Sequence, residues 1–378
     1  MKLLADFVLV SGFAVALVIL VMLTISKRKE LPQILLMFIL GLIAIIFVTL
    51  YASLHKIAPL FNLAHFFEDG ARFMLGPLVY IYIKSIFIKD KGLIKKNLVH
   101  FLPFLLYWGF FTVPKVYGLY FGEAIFDYLE FFRGTAYLAI IKDIFVLLYI
   151  LLSIRLFYEF KLAMKSNYSS FTNTNYGWLR KFLIGLLLAT LFDLGVGISY
   201  AVYKPSVDWD VGIISAMFLV LVTIYLGYHG LKQSMIHLPR FIMDNAEVEK
   251  NSNGQSAKLN LAKEELDQIK NTLDDVLANE KPYLQQELTL NGLAELIGTS
   301  DKKLSTLLNH SLNISFYDFI NRYRVEEVKE KLKLEEYEKY SLLGLAYTCG
   351  FNSKSSFYRS FKKETGISPT TYKKEKSS

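Results

Sequence analysis

The strongest constraint on this chain is a pattern written twice near its end. Leu290, Leu293, Ala294, Ile297 and Gly298 return as Leu342, Leu345, Ala346, Cys349 and Gly350, shifted by 52 positions. Beyond each glycine the echo continues one step later. Leu304, Leu308, Asn313, Ile314 and Ser315 answer to Phe357, Phe361, Gly366, Ile367 and Ser368, a shift of 53. The apolar positions of each first set follow i, i+3, i+4, i+7, which is one face of a helix. The glycine that closes each set permits a tight turn. Ser300, and Asn352 or Ser353, are good N-caps for a second helix. The chain therefore holds two copies of one unit, a pair of helices crossed at a glycine turn.

The second helix of copy one buries Leu304, Leu307 and Leu308 and shows Asp301, Lys302, Ser305, Thr306 and Asn309. That of copy two buries Phe357 and Phe361 and shows Lys354, Ser355, Tyr358, Arg359 and Lys362. Small polar and basic side chains on such a face suit base edges and phosphates, and they also suit a merely solvated surface. A long helix, about Ser315 to Leu334, is expected between the copies. Twenty residues at ~1.5 Å each would span ~30 Å, close to the ~34 Å of one DNA turn. Such a strut would set two recognition helices in successive major grooves without dimerisation.

The rest of the chain has a different composition. Hydrophobic residues make up 53% and aromatics 15% of the whole, and the apolar share is concentrated before residue 240. A membrane-spanning helix needs roughly 20 mostly apolar residues. Seven segments approach this: about 5–25, 31–52, 73–89, 97–114, 134–157, 182–203 and 210–229. With the N-terminus outside, the inner connections hold Lys27, Arg28, Lys29, Lys89, Lys91, Lys95, Lys96, Arg155, Lys161, Lys165, Arg180 and Lys181. The positive-inside rule then favours an external N-terminus and a cytoplasmic C-terminus. The outer connections carry acids and aromatics, Glu123, Asp127, Tyr117 and Phe121 among them. These aromatics suit an interfacial belt or a lid facing a ligand.

Three ionisable residues, Lys142, Asp143 and Asp193, fall inside expected spans. Such groups are costly in lipid and usually face the bundle interior. Asp193 could pair with Lys142, or line a sensor pocket with Asp143.

The single cysteine, Cys349, excludes an intrachain disulfide and a metal site built on cysteine pairs. No His-Glu zinc motif, phosphate loop or nucleophile elbow is present in the apolar half, and neither enzyme activity nor a metal or cofactor is expected. The net charge of +8 fits nucleic acid and positively charged cytoplasmic loops alike.

Residues 241–258 are read as a flexible linker, from their Asn, Ser, Gly, Gln, Glu and Lys content. A connecting helix follows at 259–280. Its stripe of Leu259, Ala262, Leu266, Ile269, Leu273 and Val276 suits either packing on the neighbouring domain or a parallel dimer contact.

The segment from Leu345 to Lys373 contains Gly350-Phe351, Phe357-Tyr358-Arg359-Ser360-Phe361-Lys362-Lys363, Gly366-Ile367-Ser368-Pro369 and Tyr372. With copy one, over about residues 281–375, it resembles the AraC/XylS family of bacterial transcription regulators. Asn313 stands where that family usually has Gly in copy one, and Lys373 where Arg is usual. The resemblance implies a tandem helix-turn-helix domain that binds double-stranded promoter DNA. By motif position it implies base contacts from Lys302, Ser305 and Thr306, and from Lys354, Ser355 and Arg359. The wider candidate set adds Ser300, Asn352, Ser353, Lys362 and Lys363, with Lys363 meeting phosphate. Arg322 and Arg324, on the strut, resemble the family's structural arginine region, and ion pairs with nearby acids are expected.

The layout is similar to a membrane-bound, multispanning subset of that family. The expected fold is all-α: a seven-helix transmembrane bundle at 1–240 and a soluble tandem helix-turn-helix domain at 281–378. The expected protein is a regulator in the bacterial inner membrane, controlled by an unidentified small-molecule or envelope ligand, with RNA polymerase as a partner and a homodimer left open. A transporter or signalling scaffold with a protein-binding tail is the rival reading.

Overall fold

The computed structural model describes residues 2–26, 30–68, 70–88, 92–114, 117, 136–169, 173–203, 209–232, 263–337 and 339–376. Among these the regular elements are helices, and the isolated β-bridge Tyr168–Thr289 is the strand-like feature. The expected linker at 241–258 lies outside the described residues. The chain divides into two compact units, Met1–Phe157 with Trp178–His237, and Tyr158–Gly177 with Leu238–Ser378.

The first unit draws on nine helices of the described chain: α1 (Lys2–Ile25), α2 (Leu31–Leu54), α3 (Ala58–Glu68), α4 (Ala71–Phe87), α5 (Leu93–Lys96), α6 (Leu102–Tyr107), α7 (Ala136–Asn167), α8 (Asn173–Tyr203) and α9 (Trp209–Lys232). Among the described residues, four stretches are long and apolar enough to cross a membrane: Lys2–Ile25, Leu31–Leu54, Gly177–Ser199 and Ile214–Leu231. Their outer faces leave large apolar side chains bare, including Phe7, Phe38, Leu188 and Leu221. Exposed apolar surface on this scale marks a membrane or protein–protein contact. α1 packs on α2 and α9, and α2 also packs on α3 and α4.

The other three expected spans differ from the sequence reading. The segment at 73–89 is α4, 17 residues long with Pro77 inside it. The segment at 97–114 is a composite run in which a 3-10 turn (Leu98–Phe101) leads into α6, and α6 passes into a π turn (Trp108–Thr112). The segment at 134–157 belongs to a 32-residue helix, α7, that continues ten residues further. Glu159, Lys161, Leu162, Ala163, Met164 and Lys165 form helices well, so helicity outlasts apolarity here. α3 was not expected, because its length falls short of a span.

The second unit contains α10 (Lys263–Asn279), α11 (Leu290–Leu296), α12 (Asp301–Thr306), α13 (Phe316–Lys331), α14 (Leu342–Thr348), α15 (Lys354–Thr365) and α16 (Pro369–Lys376). It has two cores that share α13. Phe316, Phe319 and Ile320 join Leu290, Leu293, Ala294, Ile297, Leu304, Leu307 and Leu308. Val325 and Val328, further along α13, join Leu345, Ala346, Cys349, Phe351, Phe357 and Phe361. α13 is shorter than expected. It stops at Lys331, and its 16 residues span about 24 Å.

The stripe on α10 faces the first core. Ile269, Leu273 and Leu277 are buried in it, and Leu266 and Val276 pack against it. This is the packing the stripe offers within the chain, and its first two positions, Leu259 and Ala262, lie outside the described residues. An ion pair between Lys303 Nζ and Glu265, at 2.6 Å, fastens α10 to α12.

Candidate nucleic-acid interface

The two copies fold alike in detail. Thr289 caps α11 by accepting from Gly292 N–H, and Ser341 caps α14 by accepting from Gly344 N–H. Gly298 and Gly350 take φ of 66° and 87°, the left-handed region that suits glycine. Past each glycine the chain closes the helix with a long bond, Thr299 N–H to Ala294 O at 2.9 Å and Phe351 N–H to Ala346 O at 3.1 Å. Ser300 then caps α12 by accepting from Lys303 N–H, and Ser353 caps α15 by accepting from Ser356 N–H. Asn313 and Gly366 end the second helices at φ of 49° and 79°. The step from 52 to 53 in the repeat is one extra turn residue. Only Thr299 separates Gly298 from its cap, whereas Phe351 and Asn352 separate Gly350 from Ser353.

The candidate residues divide by exposure. On α15, Lys354, Ser355, Arg359 and Lys362 are exposed, as is Asn352 just before it. Ser356, Phe357, Ser360 and Phe361 form the buried face. Tyr358, expected to face out, is half-buried edge-on against Phe357, with Lys354 Nζ 5.5 Å from its ring centre. Lys363 is exposed but is held by Asp318 of α13 at 2.9 Å, so its expected phosphate role meets a competing carboxylate. On α12 Lys302 is exposed. Ser305 and Thr306 are half-buried, with Thr306 Oγ1 donating to Lys302 O and Ser305 Oγ accepting from Asn309. Ser300 and Ser353 have capping work in the fold. α12 itself has less than two turns of α-helix before a π turn at Leu307–Ser311, which the sequence did not signal.

What aligns the two motifs is Arg324, which is fully buried on α13. Its Nε donates to Tyr283 O at 2.7 Å and its NH2 to Gln285 O at 2.7 Å, in the segment leading to copy one. The guanidinium lies 5.9 Å from the centre of the Phe351 ring in copy two. A Cβ on Gly350 would stand 2.9 Å from Arg324 Nε and 2.9 Å from Leu284 O. Sequence reading expected acids around this residue, and the contacts just named are carbonyls and a ring instead. Burial pulls the guanidinium down to about 10. A second tie is the 2.7 Å hydrogen bond between Tyr317 of α13 and Ser356 of α15, both buried. Nothing in the local sequence marked Tyr317 or Ser356, because their partnership spans 39 residues.

In the first unit Lys142, Asp143 and Asp193 each meet a near neighbour. Asp143 is paired with Arg72 of α4. Asp193 accepts from Ser215 at 2.6 Å. Lys142 Nζ lies 4.2 Å from the centre of the Tyr107 ring. Among the described residues no cluster of His, Cys, Asp and Glu is arranged to hold a metal ion.

Residues 289–376 thus hold two capped helix pairs, each crossed at a glycine turn. Residues 293–375 match the family described as helix-turn-helix domain. An uncharacterized HTH-type transcriptional regulator of Staphylococcus aureus strain COL is 33% identical over 91 residues, which is 24% of this chain and 12% of the relative. The uncharacterized HTH-type transcriptional regulator YtdP of Bacillus subtilis strain 168 is 28% identical over 111 residues, 29% of this chain and 14% of the relative. The chain thus spans only about an eighth of the length of the curated relatives it matches. No solved structure matches it.

Proposed function

We propose that this chain is a membrane-anchored, one-component transcription regulator. Residues 281–378 bind promoter DNA through both helix-turn-helix motifs, with α12 and α15 as recognition helices. Lys302, Lys354, Ser355, Arg359 and Lys362 are the contacts best placed by exposure. The membrane half crosses the bilayer seven times with its N-terminus outside. It takes up a small-molecule or envelope signal at the polar group formed by Arg72, Lys142, Asp143, Asp193 and Ser215. RNA polymerase is the partner at the promoter.

The observation that carries this reading is a single juxtaposition. The same chain holds a capped, duplicated helix-turn-helix with a basic outward face and four helices whose bare apolar sides suit lipid. Genome-wide mapping of DNA bound by the full-length protein, with and without extracellular extracts, tests it. Discrete enriched promoters whose occupancy responds to the extracts are expected. Uniform background, or binding through the C-terminal half that is indifferent to salt, would point to a protein partner instead. For topology, reporters fused after Tyr203 should read as external and those after Leu231 as cytoplasmic.

A further inference from the structure

Residues Tyr158–Gly177 belong to the second unit, with the helix-turn-helix domain. α7 ends at Asn167, and the next two residues lie beside the segment that leads into α11. Tyr168 bridges antiparallel to Thr289. Ser169 N–H donates to Leu288 O at 3.1 Å, and Ser169 Oγ donates to the same carbonyl at 2.6 Å. From the other side, α13 reaches the same residue. Asn321 Nδ2 donates to Ser169 O at 3.0 Å, Arg324 NH1 to Ser169 O at 3.2 Å, and Arg324 NH2 to Ser169 Oγ at 3.1 Å. Two residues before the end of α7, Lys165 Nζ lies 5.9 Å from the centre of the Tyr317 ring.

This is a built receptor. Ser169 and Arg324 are both 0% exposed. The N–H, carbonyl and hydroxyl of Ser169 are all bonded, to partners 119–155 residues away in sequence. The groups that receive it are the ones that align the two motifs: Arg324, and Tyr317 through its bond to Ser356 of α15. The chemistry fits an extended peptide with a small hydroxyl residue, and a bulky or cationic side chain would not enter beside the guanidinium. Both ends of the seated segment continue into long helices, α7 before it and α8 after it.

We propose that the connection between α7 and α8 is a clasp on the helix-turn-helix domain, and that seating and unseating Ser169 controls how that domain engages DNA. The control role rests on the function proposed above, whereas the seating does not. A seated clasp joins the lead-in of copy one to α13, and an unseated one removes the three bonds from Asn321 and Arg324 to Ser169. A change in the arrangement of α7 and α8 would act on the clasp directly, whatever the chain at 241–258 does.

The test uses the full-length chain in native membranes. Tyr168→Cys and Thr289→Cys are combined with a protease site inserted within 244–258. Bridge partners lie within disulfide range, so oxidation should keep the two fragments in one band after cleavage, without reductant. Single-cysteine versions serve as controls for Cys349. Ser169→Lys sets a second cation against Arg324 and should slow cross-linking at least tenfold. Ser169→Ala deletes only the hydroxyl and should slow it less, which separates unseating from misfolding. At equal membrane levels, Ser169→Lys should change occupancy at bound promoters at least threefold. Fragments that separate, or cross-linking equally fast in Ser169→Lys, would overturn the clasp. Lost cross-linking with unchanged occupancy would overturn its control role. No promoter occupancy even for the unmodified protein would instead sink the proposed function, while the cross-linking result still reports the seating.

Discussion

Asp318 on the strut α13 holds Lys363 on α15 through a 2.9 Å ion pair, so one carboxylate links the shared helix to the second motif. Burial pushes the Asp318 carboxyl up, but hydrogen bonds from Lys363 and Ser315 and the charges of Lys363 and Lys165 outweigh it and hold the group below its ordinary value. A carboxyl lowered by folding stabilises the fold above its unfolded pKa, about 3.9, and loses that contribution as pH falls below it. Hydrogen exchange at the α15 amides should therefore quicken as pH drops through that range, after correction for intrinsic rates. Asp318→Asn should flatten the dependence. A dependence equally steep in the Asn variant would assign it to another group.

Two glycines with the same backbone strain should respond differently to substitution. Gly298 and Gly350 both have positive φ, and an alanine at either costs about 1–2 kcal/mol from backbone strain alone. A Cβ at Gly298 meets open space, whereas at Gly350 it meets Arg324 and the Leu284 carbonyl. Gly350→Ala should cost about 1–3 kcal/mol more than Gly298→Ala, from overpacking. Denaturant unfolding of the purified protein, followed by hydrogen exchange in each core, compares them.

Leu273 is fully buried in the first core. Leu273→Ala should destabilise that core by about 2–5 kcal/mol. Leu266→Ala, at a half-buried position, should cost less. If α10 were mainly a dimer contact, both changes would leave the fold intact and lower the apparent mass in solution. Hydrogen exchange and light scattering on the same samples separate the outcomes.

Base reading and phosphate binding should part on α15. Arg359→Ala is expected to cost about 1–3 kcal/mol and relax preference at one base pair. Lys362→Ala should weaken all sequences alike and reduce the salt slope by about 1. Lys362 is the cleaner phosphate probe, because Lys363 also loses Asp318 when changed. Anisotropy titrations on DNA from an enriched promoter, at several salt concentrations, read both. Equal sequence-independent losses would remove the base contact from Arg359.

Local pattern made much of the second unit legible. The apolar spacing of Leu290 to Ile297, the glycine turns and the serine caps are properties of a few consecutive residues, and each one folds as its sequence implies. What could not be read is the chemistry of distant partners. Nothing near Ser169 marks it as the acceptor for Asn321 and Arg324, and nothing near Asp143 marks Arg72 as its partner. In the first half, hydropathy located helices but not their ends. α7 outruns its apolar stretch, and α3 is too short for a span-length search to find.

The longer turn of copy two has a consequence for any DNA it grips. Because the extra residue is absorbed before the cap, α12 and α15 keep the same register after Ser300 and Ser353. Counting from those caps, Lys302 stands where copy two has Ser355, Ser305 where it has Tyr358, and Thr306 where it has Arg359. Matching positions thus present unlike chemistry to the two grooves. If both helices read DNA as proposed, the preferred site is neither a palindrome nor a direct repeat. The bound protein then has a front and a back, and turning its operator around at a promoter is not a silent change.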